Sequence, residues 1–209
     1  MPRPAKFTED QILDAALELV AEGGPAAATM AAIAARAGAP VGSLYHRFRS
    51  REWLLARLWL RTVERFQRGF ADSLRGDDLD EAAQRAARFG LTFVRQRPAE
   101  ARVLLLYRRQ DLAARWPDEI GEQLAGLNRR GEQAMREHAR LRYGSDDDEH
   151  LQRVVFALAD LPYAASRRHL AAGRPPPPIL DVLVADAVRS VLGVRDDRPA
   201  GRIEGAGGP

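Results

Sequence analysis

The chain has 209 residues, 32 Lys plus Arg against 29 Asp plus Glu, and no cysteine. Such a length can bury a substantial core in one or two domains, and the missing thiols exclude disulfides and cysteine-based metal or redox centres. A net charge of +3 is too small by itself to imply nucleic acid, and no apolar stretch approaches the ~18 residues of a membrane span.

In chain order, residues 1–6 are basic with no apolar run behind them, which predicts a disordered arm rather than a signal peptide. Thr8-Glu9-Asp10-Gln11 has the spacing of a capping box, and Ile12, Leu13, Ala16, Leu17, Leu19 and Val20 follow at helical period. Gly23-Gly24-Pro25 ends that first helix, and Thr29 caps a second whose Met30, Ile33, Ala34 and Ala37 face inward. Gly38 closes the second helix, because glycine takes a positive φ without strain, and Pro40 presets φ for a very short third. A fourth helix runs from Ser50 to about Leu74 and would be ~36 Å long.

Gly76-Asp77-Asp78 breaks the chain before a fifth helix over about 79–95, and Pro98 opens a sixth that includes Val103 to Tyr107. Pro117 opens a seventh, running to about Tyr143. Asp146 to Glu149 place negative charge at the start of an eighth, where the helix dipole favours it. Pro162 should kink that helix, the Pro175–Pro178 run is a stiff loop, and Ile179 to about Leu192 form a ninth. Residues 195–209, rich in Gly, Pro and charge, are expected to be a disordered tail. No strand pattern or internal repeat is visible, so the expected class is all-α with about nine helices.

The stretch from Ala37 to Glu52 carries the chemistry. Leu44 and Phe48 lie four apart and point one way, which leaves Ser43, Tyr45, His46 and Arg47 facing outward beside Arg49 and Arg51. Hydroxyls, an imidazole and guanidinium groups on one face suit phosphate and base edges. Between Arg36 and Arg75 nine arginines stand against only Glu52, Glu64 and Asp72, although the general preference for Arg over Lys reads better as composition bias and carries little weight alone.

With Thr29-Met30-Ala31-Ala32-Ile33-Ala34-Ala35-Arg36-Ala37-Gly38 before it, this stretch resembles the helix-turn-helix of the tetracycline-repressor (TetR) family of bacterial transcriptional regulators. The shared pattern is the Thr opening the second helix, Ile-Ala, Ala-Gly, then Gly-Ser-Leu-Tyr-x-x-Phe and Ser-Arg-Glu-x-Leu, over roughly residues 7–60. The resemblance implies phosphate contacts by Tyr45 and His46 and a phosphate or base contact by Ser43, with Val41 and Arg47 as further candidates. Thr29 and Arg51, each in or before a helix's first turn, are expected to meet phosphates. Pro40 stands where the family usually has a capping Ser, so no polar contact is assigned to it. Arg3 and Lys6 read equally well as an arm reaching an adjacent groove or as a solvated tail.

The resemblance further implies an N-terminal DNA-binding domain of residues 1–50, completed by the start of the fourth helix to about residue 60, and a C-terminal ligand-binding and dimerisation domain of residues 51–194. Phe66, Phe70, Phe89, Phe93, Tyr107, Trp116 and Tyr163 are candidates to line an effector pocket, against plain core packing. Val155, Leu158, Leu180, Leu183, Val184, Ala187 and Val188 are candidates for a dimer interface formed by the eighth and ninth helices. The expected function is a cytoplasmic, homodimeric repressor of palindromic double-stranded operator DNA, released by a small-molecule effector, with no membrane association, cofactor or catalytic site. An all-helical enzyme or a protein-interaction module with a basic surface are the alternatives. The enzyme lacks a convergent set such as HExxH or a glycine-rich phosphate loop. No metal site is expected: consecutive Asp146 to Glu149 diverge on a helix start, and His138 and His169 lack partners at ligand spacing and should lie on the surface.

Overall fold

The computed structural model describes residues 7–106, 123 and 126–193, and all the regular structure among them is helical. The expected arm 1–6, the expected tail 195–209, and Tyr107 and Trp116 lie outside the described residues.

Local chemistry sets the first helices. Helix α1, Glu9–Gly23, is opened by the predicted capping box: Thr8 N–H donates to Gln11 Oε1 at 2.8 Å and Gln11 N–H to Thr8 Oγ1 at 3.2 Å. After a 3₁₀ turn at Pro25–Ala27 come α2, Met30–Ala37, capped by the Thr29 hydroxyl, and α3, Val41–Arg47. Helix α4, Arg51–Ser73, is capped by Ser50, whose hydroxyl accepts the Trp53 N–H at 3.1 Å. Helix α5, Leu79–Gln96, is capped by Asp78, and α6, Pro98–Leu104, starts on its proline.

Helix α6 ends at Leu104 rather than continuing to Tyr107, with Leu105 N–H turned back to Arg102 O at 3.0 Å. Helix α7 is described from Arg129 to Tyr143. Helix α8, Asp148–Val155, passes through a π-helical turn, Phe156–Asp160, into α9, Leu161–Ala171. The turn immediately precedes Pro162, whose ring lacks the N–H that an α-helix would offer to Leu158. The longer-period turn, with Leu161 N–H reaching Phe156 O, makes room for that proline. Helix α10 is Ile179–Gly193.

Two large buried clusters result, with a smaller third of Phe93, Val94 and Ala101 between α5 and α6. One holds Ile12, Ile33, Leu44, Phe48, Leu54 and Leu58 from α1 to α4 together with Val103 of α6. The other holds Phe70, Leu91, Val154, Leu158, Val184 and Val188, from α4, α5, α8 with its π-helical turn, and α10. Helix α4, ~35 Å long, belongs to both, its first half in one and its last turns in the other.

The dimer-interface residues predicted from sequence separate here. Leu158, Leu180, Val184 and Val188 are buried within the protomer and are not available to a partner. On α10 the stripe 180, 184, 188 packs inward, with Gln84 Nε2 donating to Ala185 O at 3.1 Å and Arg95 pairing with Asp181 at 2.7 Å. Leu183 is on the other side, exposed together with Ile179 and Val182. Ala187 is half-buried, and half-buried Val155 faces an internal cavity. His138, expected on the surface, is buried on α7 with only 2 % of its area exposed. Asp147 caps α8 through its carboxylate and the His150 N–H at 3.0 Å, and Asp146 pairs with Arg140 and Arg136, so the acidic run is used locally.

Candidate nucleic-acid interface and internal cavity

The turn between α2 and α3 is fixed by Gly38, at φ +65°, with Ala39 N–H donating to Ala34 O at 2.9 Å. That left-handed step suits glycine. Ala39 tucks inward and Pro40 starts α3 at φ −59°. Leu44 and Phe48 then bury fully against Ile33 and α4, fixing the rotation of a helix only seven residues long. The opposite face therefore has to point out: Val41, Tyr45, His46 and Arg47 are exposed, Ser43 is half-buried, and Thr29 is exposed at the start of α2. The Thr29 hydroxyl accepts the Ala32 N–H at 3.1 Å and keeps its own proton for a further partner.

The arginines around this face differ in what they are free to do. Arg36 is clasped by Glu22 at 2.8 Å and Glu18 at 3.0 Å, hydrogen bonds that raise its own pKa and lower that of Glu22. Arg49 stacks on the Trp53 ring, 4.6 Å from its centroid. Arg51, expected at a phosphate, instead turns inward: its Nε donates to Ala28 O at 2.9 Å and its Nη2 to Pro25 O, tying α4 to the 3₁₀ turn. Pro25 O also accepts the Ala28 N–H at 3.2 Å, so the guanidinium there takes the carbonyl's second lone pair. Arg47 has no carboxylate partner among the described residues. Gly42, unnoticed as a contact in the sequence, lies on the exposed face between Val41 and Ser43, and no atom stands within 4 Å of where its Cβ would be.

In the other half of the molecule α4 to α9 line a cavity of about 550 Å³ that opens to the surface. Of the candidate aromatics, Phe66, Phe70, Phe93 and Tyr163 stand in its wall. Phe89 stands behind that wall, 5.2 Å from the Phe66 ring and 6.0 Å from the Phe93 ring, in space left by Gly69, where a Cβ would sit 2.5 Å from its ring. Sequence reasoning passed over the polar part of the lining. Gln67 donates to Asn128 Oδ1 at 3.2 Å, and Glu132, Asp160 and Arg167 stand at exposed positions of the rim. The signal for Gln67 was Gly131: a Cβ there would lie 2.2 Å from Gln67 Oε1, so the glycine admits the glutamine between α4 and α7.

Residues 12–58 match the sequence profile of bacterial regulatory proteins of the tetR family. No curated protein matches the chain. Among solved structures, a transcriptional regulator from Streptomyces coelicolor A3(2) is 25 % identical, with 88 % of this chain and 98 % of that one covered at a TM-score of 0.59. A transcriptional regulator from Rhodococcus sp. Rha1 is 20 % identical over 92 % of this chain and 100 % of its own, at a TM-score of 0.65. The fatty acid degradation regulator FadR from Bacillus halodurans is 18 % identical over 90 % and 100 %, at a TM-score of 0.60. These last two share the fold. The matched segment, set at the head of this all-helical architecture, is a tetR-family helix-turn-helix, and the remainder of the chain shares its fold with solved transcriptional regulators.

Proposed function

We propose that the chain is a homodimeric, ligand-responsive repressor, cytoplasmic in location, whose residues 1 to about 60 read DNA and whose remainder to 194 binds an effector and a second copy. The observation that carries this reading is the outward face of α3, held in rotation by the buried pair Leu44 and Phe48. In the proposed complex Tyr45, His46 and Thr29 meet phosphates, Ser43, Val41 and Arg47 meet bases or phosphate, and Gly42 marks the closest approach of the duplex. A two-fold dimer would present two such helices ~34 Å apart, matched to successive major grooves of a palindrome.

The cavity is the proposed effector site, and α6 supplies a route from it to DNA alongside α4. Ala101 and Leu104 line the cavity, whereas Val103 on the same helix is buried in the N-terminal cluster. Arg102 Nη1 donates to Ala21 O near the end of α1 at 2.8 Å, and Trp59 Nε1 of α4 to Leu104 O at 3.4 Å. The buried Glu100 carboxylate, held by Arg65 and Arg97, fixes α6 to α4. A ligand that displaces α6 would therefore act on α1 and α4 together and change the separation of the two α3 helices.

Binding measured by fluorescence anisotropy against operator-selected and random duplexes, at several salt concentrations, tests the DNA contact. Sequence-selective binding that weakens steeply with salt is expected. Tyr45→Ala should weaken it roughly tenfold on every duplex, the worth of one good hydrogen bond, with the fold unchanged. Gly42→Ala should raise helix stability by up to ~1 kcal/mol and yet weaken binding, because its Cβ meets only the DNA. Parent-like affinity in both variants would refute the docking face.

The exposed apolar side chains Ile179, Val182 and Leu183 of α10, with Phe156 and Tyr163 on the π-helical turn and α9, are the proposed dimer surface. Leu183→Asp, at a site where the protomer core is untouched, should give a folded monomer by light scattering. A dimer of parent stability would place the interface elsewhere.

A further inference from the structure

We infer that a second, smaller pocket beside the cavity is an anion site that takes a phosphate or carboxylate group. It holds about 160 Å³ and is built where α5, α6 and the loop between α9 and α10 meet. Three arginines line it, one from each element: Arg95, Arg102 and Arg174. Arg95 has one carboxylate partner, Asp181, which both its contacts engage through Nη2. Its Nη1 is buried and has no acceptor. A buried charged donor without a partner is costly, and something that accepts a hydrogen bond there would relieve it.

Arg102 and Arg174 have no carboxylate partner among the described residues. Arg102 spends Nη1 on the Ala21 carbonyl, while its Nη2 lies 3.7 Å from where a Cβ of Gly173 would be, at the pocket wall. Gly173 is in the left-handed region, at φ +66°, which turns the chain so that Arg174 follows into the same pocket. Three guanidinium groups with a single carboxylate between them repel one another, and each offers the planar fork that matches an oxyanion. The remaining walls are Val94, Leu170, Pro98 and Pro175, so the volume suits a single phosphate or carboxylate group and not a nucleotide base.

Val94 and Leu170 also belong to the wall of the large cavity. The same oxyanion chemistry thus fits a free anion or the head of an amphiphile whose apolar part extends past those two side chains. Through Arg102 the anion would be one side chain away from the end of α1, and its arrival would hold α1 against α6.

The test is thermal melting of the full-length protein, without DNA, in chloride against inorganic phosphate at matched ionic strength. Decyl phosphate and decanol serve as the amphiphile and its uncharged control. At about ten times its dissociation constant the anion should raise the melting temperature by roughly 3–6 °C. Arg174→Gln, at an exposed loop position outside the DNA-reading face, should remove the rise while melting like the parent in chloride. A rise with inorganic phosphate identifies a free-anion site. A rise with decyl phosphate alone, absent with decanol, identifies the head-group site. No rise with either phosphate, an equal rise with decanol, or an undiminished rise in Arg174→Gln would overturn the assignment. Because no DNA is present, none of these outcomes bears on operator binding.

Discussion

Phe48→Ala is expected to destabilise the N-terminal unit by about 3–5 kcal/mol and to abolish operator binding with it. Phe48 is 1 % exposed and is among the largest fully buried side chains of the chain. It ends α3, its N–H closing on Leu44 O at 2.7 Å, and its ring fills the space between α1, α2 and α4. Helix α3 is too short to be stable by itself, so the contact of Leu44 and Phe48 with that core is what makes it a helix at all. A unit this small has little stability to spare, and a loss of this size is a large fraction of the total. Urea unfolding followed by circular dichroism measures it. Phe48→Leu, which keeps most of the volume, should recover more than half of the lost stability and part of the binding. A Phe48→Ala variant within about 1 kcal/mol of the parent would show that α3 is held in place by something other than this pair.

The parts of the fold that were legible in the sequence are those set by neighbours in the chain. Thr8 with Gln11, Thr29 and Gly38 each cap or end a helix through contacts three or four residues away, as expected, and Ser50, where the fourth helix was expected to start, caps it in the same way. The outward face of α3 was legible for the same reason, since two buried residues four apart fix a helix's rotation. What could not be read was anything decided by a distant backbone. Arg51 is drawn inward by the carbonyls of Pro25 and Ala28, more than twenty residues away in sequence. On α10 the apolar residues cover more than one side, and only the position of α5 decides that 180, 184 and 188 go inward and 179, 182 and 183 stay out. Pro162 announced an irregularity, but a kinked α-helix and a π-helical turn satisfy the same proline, and the sequence does not choose between them.

The second large effect is a loss of stability on mild acidification that belongs to His138. This ring is buried on α7, neither of its nitrogens has a hydrogen-bond partner, and its pKa is pushed down to about 4. Burial is the main cause, the nearby Arg142 guanidinium adds to it, and Asp80, itself paired with Arg142 at 2.6 Å, opposes it. The unfolded chain takes up a proton near the ordinary histidine value of about 6.5, so between ~4 and ~6.5 it binds more protons than the folded protein. Stability therefore rises with pH through that window and falls on acidification, by about 2.5 kcal/mol at pH ~4.5 relative to neutral. His138→Leu has similar volume and no nitrogen to protonate. It should unfold within about 1.5 kcal/mol of the parent at neutral pH and lose most of this acid sensitivity. Because α7 also carries Gly131, Glu132 and Met135 of the cavity wall, the parent but not the variant should lose ligand-induced stabilisation early as the pH drops. Urea midpoints of the two proteins across the window decide the matter: parallel pH curves would assign the acid sensitivity to carboxylates and leave His138 without a part in it.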